Sequence, residues 1–445
     1  MNRLARMLRA AALATCLITG TVKLADQTAS AQSAPGLYVS VSGNDRQDGT
    51  SPAKALRTIS AALSRARPGD TVYVGPGTYR EQVVTQRAGA PGAEITIRGV
   101  GGKAVIDGSA LNWEAGKSQN QALVELRHPF VRVVNLTVQN SKNTGILLAA
   151  DDLTVEDSKV LETQLHAIST DTSRQTNYHD TDESMIRRIV LKNNVIERAS
   201  LDGNSQALSL IADGFLVTGN TVHSSMREGI DIWLGSRRGE VVGNTVYGNR
   251  ATGIYVDGAA YVKIHRNVVF GNGSGIGVSS EDKDYTTHHI WVYNNIAYDN
   301  TNAGCFLWDD KWRPGYKGVQ SVLIAYNTIA RNKFAISVAG ENNSARIYNN
   351  LGFSKESNVD DEGVNSSVSF RGNVWLTAPS GFVAADRHDF RLTKQSSAID
   401  KGVALSSVSD GAGGTFLIDS DFEGLGRIDG RNPDAGAFEY HRDAR

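Results

Sequence analysis

Glu228-Gly229-Ile230-Asp231-Ile232-Trp233, Thr252-Gly253-Ile254-Tyr255-Val256-Asp257, Ser274-Gly275-Ile276-Gly277-Val278-Ser279 and Ala303-Gly304-Cys305-Phe306-Leu307-Trp308 are four versions of one phrase. In each, an apolar residue alternates with a variable one, the period-two pattern of a strand with one buried face. The fixed apolar letters belong inside, which leaves Asp231, Trp233, Tyr255, Asp257, Phe306 and Trp308 for an exposed face. Acids beside large aromatics on a repetitive scaffold suit a sugar-binding cleft.

The phrase extends outward in both directions. A glycine or alanine precedes the strand at Gly145, Ala167, Ala207, Gly229, Gly253, Gly275, Gly304 and Ala335. Between these copies runs a second phrase, a strand ending in Asn or Asp, at Asn135, Asp157, Asn193, Asn220, Asn244, Asn267, Asn294, Asn327 and Asn349. Subtracting neighbours gives spacings of 22, 36, 27, 24, 23, 27, 33 and 22 residues. A floor of 22 with occasional additions describes a fixed coil that carries loops. The expected fold is therefore all-β, a parallel β-helix with two strand phrases per coil. The asparagines have a structural role in it, because asparagine tolerates a left-handed backbone at a sharp turn and can bond to the asparagine stacked above.

Outside the repeat, Ser51-Pro52 opens an amphipathic stretch to Arg67, with Leu56, Ile59, Ala62 and Leu63 on one stripe. It predicts a short helix with Ser51 as cap and Pro52 in its first turn, covering the open N-terminal end of the solenoid. At the other end, Asp389 to Tyr440 loses the repeat and reads as a C-terminal cap. Arg3, Arg6 and Arg9 precede the apolar run from Ala11 to Val22, and Ala29-Ser30-Ala31 offers small residues for cleavage. Residues 1–31 are expected to be a signal peptide, 32–70 an N-terminal cap, 71–385 the β-helix and 386–445 the C-terminal cap. Export, a secreted or periplasmic location and no membrane association after cleavage follow. With Cys16 in the leader, Cys305 is left alone and no intrachain disulfide can form. The 46 basic and 47 acidic residues nearly cancel, so nothing global points to nucleic acid. A monomer is the expected state.

The opening Tyr38-Val39-Ser40, Gly43-Asn44-Asp45 and Gly49-Thr50-Ser51-Pro52, followed by Pro68-Gly69-Asp70-Thr71-Val72-Tyr73-Val74 and Gly77-Thr78-Tyr79, resembles the start of secreted bacterial right-handed parallel β-helix proteins. That pectate-lyase-like superfamily includes family-nine pectate lyases, chondroitinase-B-like lyases, alginate epimerases and several glycosidases. Asp389-Phe390-Arg391-Leu392, Ser397-Ala398-Ile399-Asp400 and Asp434-Ala435-Gly436-Ala437-Phe438-Glu439 resemble the tail many members share. The resemblance implies a right-handed coil and activity on an acidic polysaccharide. Glu228-Gly229-Ile230-Asp231 is similar to the acidic cluster that helps family-nine pectate lyases bind calcium. The catalytic lysine strand of that family has no counterpart, since the preceding coil reads Gln206-Ala207-Leu208-Ser209-Leu210.

Setting the coils in register gives a map of the outer face. The first outward position reads Leu147, Ser169, Ser209, Asp231, Tyr255, Gly277, Phe306, Ser337, and the second Ala149, Asp171, Ile211, Trp233, Asp257, Ser279, Trp308, Ala339. A third position is expected to carry Asp213, Glu281 and Asp310. Asp231 and Asp257 stand one coil and two residues apart, about 8 Å, a separation that admits a water between acid and base as in inverting glycosidases. Glu281 and Asp310 are expected to stack at about 5 Å, where like charges raise one pKa or recruit a cation. Asp231, Asp257, Glu281 and Lys283 are the catalytic candidates, and Asp231 with Asp310 the candidate ligands of a Ca2+ ion. Trp233, Tyr255, Trp308 and Trp312 would stack on sugar rings, while Arg237 and Arg238 would bind acidic groups.

Three functions follow, in order. The first is β-elimination on an acidic polysaccharide, by family analogy. Hydrolysis by the Asp231/Asp257 pair is second, favoured by the missing strand-borne lysine. The third is a non-catalytic glycan-binding or exopolysaccharide-assembly protein.

Overall fold

Strands between Gly36 and Trp375 pair only in parallel, each with its equivalent one coil away, and they build three sheets of 13, 11 and 12 strands. The computed structural model describes residues 36–441 apart from 119, 172–184, 283–284, 310–317, 342, 365, 406 and 412. The 11-stranded sheet carries the repeated phrase and is called the groove sheet. The 13-stranded sheet is the flank sheet, and the 12-stranded one, made of strands such as Thr221–His223 and Thr245–Tyr247, is the short-strand sheet. The coil thus holds three strands where the sequence suggested two. The third follows directly on the asparagine and is mostly three residues long, too short to display a period of two.

One inward position runs through the groove sheet as Val124, Ile146, Ile168, Leu208, Ile230, Ile254, Ile276, Cys305 and Ile336, in register from coil to coil. All are buried, so each coil adds apolar surface that neighbouring coils exclude from water, at about 25 cal/mol per Å². Cys305 simply occupies an isoleucine position. Burial pushes its thiol up to about 12, which leaves it unreactive.

The asparagine series divides into two adjacent turn positions. Asn135, Asp157, Asn193, Asn294 and Asn349 adopt the left-handed backbone, with φ between 51° and 58°. Elsewhere Gly219, Gly243, Arg266 and Tyr326 take that place. The next residue turns inward and forms a buried ladder of Asn194, Asn220, Asn244, Asn267, Asn295, Asn327, Asn350 and Asn373. Each Nδ2 donates to the Oδ1 of the next at 2.9–3.0 Å. A second ladder, Asn249, Asn272, Asn300 and Asn332, lines the following corner at 2.9–3.1 Å. Both ladders satisfy carbonyls that the corners would otherwise bury unpaired, for example Val241 O by Asn267.

The N-terminal helix is shorter than its stripe suggests. Pro52–Lys54 forms one 3-10 turn in which Ser51 makes no side-chain cap, and the α-helix, α1, spans only Ile59–Leu63 with Thr58 as its cap. Leu56 is drawn into extended backbone bonding with Tyr38 and Ser40, and Asp45 grips the N–H groups of Arg57 and Thr58. These contacts break the helix between the two pieces. The stripe itself is correct, since Leu56, Ile59, Ala62 and Leu63 are all buried.

After Trp375 the chain leaves the coil, ten residues before the expected boundary at 385/386. The strand Phe382–Ala384 already belongs to the tail, pairing antiparallel with Asp389–Leu392. The tail covers outer faces as well as ending the fold. Phe382, Phe390 and Phe438 pack on Tyr298 and Phe353 of the short-strand sheet, and Val408 and Ile418 join Trp291 and Leu323 of the flank sheet. Left-handed turn residues anchor it, with Asn294 Nδ2 donating to Ser420 O at 2.7 Å and Asn349 bonding both polar groups of Val403 at 2.8 Å.

Candidate active site

The map of outward positions is reproduced by the strand register. Asp231 pairs with Tyr255 and Trp233 with Asp257 on the next coil; Tyr255 then pairs with Gly277 and Asp257 with Ser279. One coil further, Gly277 pairs with Phe306 and Ser279 with Trp308. Because Ile230 and Ile232 are fixed in the core, Asp231 must point outward.

Outward does not mean exposed. Asp231 retains 2 % of its accessible surface and Asp257 4 %, whereas Trp233, Tyr255, Phe306 and Trp308 are half-buried. Strand periodicity assigns a side to each residue but carries no information about what covers that side. Asp231 Oδ1 is buried without a hydrogen-bond partner among the described residues. Burial, and then the charges of Glu228, Asp257 and Glu281, raise its pKa well above the ordinary value, against a smaller opposing effect of Arg227. Asp257 is pushed up to about 7, chiefly by burial, with the Glu281 and Asp282 charges adding to it. Two donors hold the Asp257 carboxylate. The backbone N–H of Glu281 donates to its Oδ1 at 2.7 Å, and the Trp233 indole N–H favours the ionised form. The Tyr255 hydroxyl in turn donates to Glu281 Oε1.

Gly277 opens a notch in this face. A Cβ there would stand 2.2 Å from Phe306 Cζ and 2.8 Å from Tyr255 Cδ2. Its absence lets the two rings, on strands two coils apart, approach to 6.0 Å between centroids. The aromatic rings thus continue on one side of the carboxylates as a half-buried platform.

Several expected members lie elsewhere. Asp213, expected on the groove, belongs to the flank-sheet strand Ala212–Thr218. Arg237 and Arg238 belong to the flank-sheet strand Arg237–Val242, where both pair with Asp213, Arg237 Nε at 3.3 Å. Only Leu234, Gly235 and Ser236 separate them from Trp233, so the chain turns the corner before the arginines can face the groove. Lys283, Asp310 and Trp312 fall outside the described residues, and so does the Glu281–Asp310 stacking. Glu228, expected only as part of the acidic cluster, forms an ion pair at 3.2 Å with Arg227, which the sequence reading missed, and the charges of both bear directly on Asp231. The one sequence signal of Arg227 is position, two residues before the small residue that opens the strand.

Of the two expected Ca2+ ligands, Asp231 is described and Asp310 is not. Among the described residues no three His, Cys, Asp or Glu side chains are grouped to hold a metal ion. Asp257 Oδ1 and Glu281 Oε1 are already engaged with N–H and O–H donors. A Ca2+ ion takes 6–8 oxygen ligands, so no chemical step is assigned to it here.

Residues 37–343 match the family described as Pel9A-like, right handed beta helix region. The chain belongs to this family. Its fold is accordingly a right-handed parallel β-helix. Among solved members of the wider fold, pectate lyase Pel9A superposes with a TM-score of 0.57 at 17% identity, covering 92% of this chain and 97% of that one. The GH136 lacto-N-biosidase of Eubacterium ramulus gives 0.55 at 13%, covering 76% and 67%. The catalytic unit of a GH87 α-1,3-glucanase from Streptomyces thermodiastaticus gives 0.51 at 15%, covering 71% and 64%. A relative at 29% identity over 342 residues, 66% of this chain and 68% of its own length, is the uncharacterized protein YwoF of Bacillus subtilis. Lyases and glycoside hydrolases therefore share the coil of this family, and likeness at these identities is one of fold.

Proposed function

We propose that this Pel9A-like chain is a glycoside hydrolase that cleaves a polysaccharide in the groove centred on Asp231 and Asp257. One observation carries the assignment. Two outward, buried carboxylates stand on adjacent coils, two residues apart in register, and burial raises the pKa of both. Asp231, which burial holds toward its protonated form, can donate its proton to the glycosidic oxygen as the C–O bond breaks. Asp257, ionised above about pH 7 and oriented by the Glu281 N–H, takes a proton from the water whose oxygen attacks the anomeric carbon from the opposite face. Trp233, Tyr255 and Trp308 offer ring faces and edges for sugars beside the carboxylates.

β-Elimination is the second reading, favoured by membership of the Pel9A-like family. It requires a base beside a uronate carbon and a cation to neutralise the carboxylate. The groove strands from Leu208 to Glu341 bear no Lys or Arg, which is why hydrolysis is preferred. We further propose that the chain is exported and acts as a monomer without nucleic-acid partners. A mixed-glycan screen with product analysis tests the assignment. Saturated reducing sugars support it; unsaturated products abolished by a chelator support elimination by a calcium-dependent lyase; binding without turnover that survives Asp231→Asn with Asp257→Asn means a non-catalytic glycan-binding role.

A further inference from the structure

A second concavity, of about 690 Å³, lies on the outer face of the flank sheet beside the C-terminal tail. The groove strand Phe334–Glu341 reaches the flank strand Ser344–Tyr348 through residues 342 and 343 alone, so this concavity begins where the groove sheet turns its corner. Six serines line it: Ser321, Ser344, Ser366, Ser367, Ser369 and Ser409. Arg346 and His289 stand among them, and among the described lining residues there is no carboxylate.

The chemistry contrasts with its neighbour. Trp291 also borders a concavity of about 550 Å³ in which Arg238 binds Asp213, Glu240 binds His265, Lys263 Nζ sits 4.3 Å above the Phe416 ring and Asp410 accepts from the Gly414 N–H. Arg346, by contrast, is exposed and forms no ion pair among the described residues. Its guanidinium is a fixed fork of donors, the geometry that recognises a carboxylate bidentately. Serine hydroxyls both donate and accept, as sugar hydroxyls do, and a row of them reads a polyhydroxylated ligand better than a bare ion. The volume is that of a small-ligand cleft and far exceeds a single oxyanion.

We propose that this flank cavity is an accessory binding site for an acidic sugar, with a uronate carboxylate on Arg346 and ring hydroxyls on the serine row. The site is independent of whatever reaction the groove performs. In the full chain it would hold an acidic polysaccharide round the corner from the groove, raising the local concentration of chain segments there.

Calorimetry with trigalacturonate and with neutral galactotriose tests it. Trigalacturonate should bind the wild type at least tenfold more tightly than galactotriose. Arg346→Ala should weaken trigalacturonate at least tenfold, Ser367→Glu should abolish the preference for the acidic sugar, and Asp257→Asn should keep it. Arg346 and Ser367 are exposed, so both variants are expected to fold, which an unchanged melting temperature verifies. Equal affinity for the two sugars, no binding at all, or undiminished binding by Arg346→Ala would overturn the assignment. So would competition by sulfate as effective as unlabelled trigalacturonate, which reduces the cavity to a simple anion site.

Discussion

The backbone N–H of Glu281 donates to Asp257 Oδ1 at 2.7 Å, so the strand end of one coil holds the carboxylate of the coil before it. This contact fixes the proposed base in orientation without adding a positive charge. It also explains why the pKa of Asp257 stops near 7, since the N–H partly offsets burial.

Removing either carboxylate should stop hydrolysis and leave the coil intact. Asp231→Asn and Asp257→Asn are each expected to lower kcat by a factor of about 10²–10⁴, the usual contribution of a general acid or base. Circular dichroism should stay that of the wild type. A variant retaining more than a tenth of the activity removes its residue from the mechanism.

Asp257 gives opposite pH signatures for activity and stability. Asp257 must be ionised to act, so kcat/KM should fall as pH drops below about 7. Its folded pKa is raised above its ordinary value of 3.8, so the folded state binds the proton more tightly. The stability this provides is complete below about pH 4 and is lost as pH rises to about 7. Asp257→Asn should therefore be more stable than the wild type at pH 8, by up to about 4 kcal/mol, and the gain should vanish near pH 4. Thermal melts at the two pH values measure this directly.

Gly277→Ala tests the notch. The added methyl meets Phe306 and Tyr255 at distances no real side chain tolerates, and displaced rings should cost about 1–3 kcal/mol of stability. Because Tyr255 also bonds Glu281, KM and kcat should both worsen. Unchanged kinetics with a lowered melting temperature would make the rings purely structural.

The two asparagine positions predict opposite mutational behaviour. Asn267→Ala strips partners from Asn244 and from Val241 O inside the core and should cost about 3 kcal/mol or more. Asn193→Gly, at φ 54°, should change stability by less than about 1 kcal/mol, because glycine adopts that backbone freely. Urea unfolding of the two variants separates a ladder residue from a turn residue.

Those asparagines also mark the limit of what the sequence discloses. Period-two alternation gave the groove strands, their register and the pairings of Asp231 with Tyr255 and Trp233 with Asp257, because core packing forces apolar letters inward in every coil. Merging Asn193 with Asn220 in one series was inevitable from spacing, since loops of varied length blur a shift of one residue. The burial of Asp231 was not legible, because strand periodicity assigns a side to a residue and says nothing of what covers that side. Nor was the assignment of Arg237 to the flank sheet, where a three-residue corner turns it onto Asp213. The Arg346 cavity lay hidden for a related reason: its serines come from three coils and the tail.

The central claim is that Asp231 and Asp257 hydrolyse a glycosidic bond with a water between them. Proton NMR of the earliest product, on whichever glycan the screen identifies, tests this most directly. A saturated sugar whose new reducing end has the anomeric configuration opposite to that of the cleaved bond is predicted. A product with a carbon–carbon double bond at its non-reducing end would contradict it.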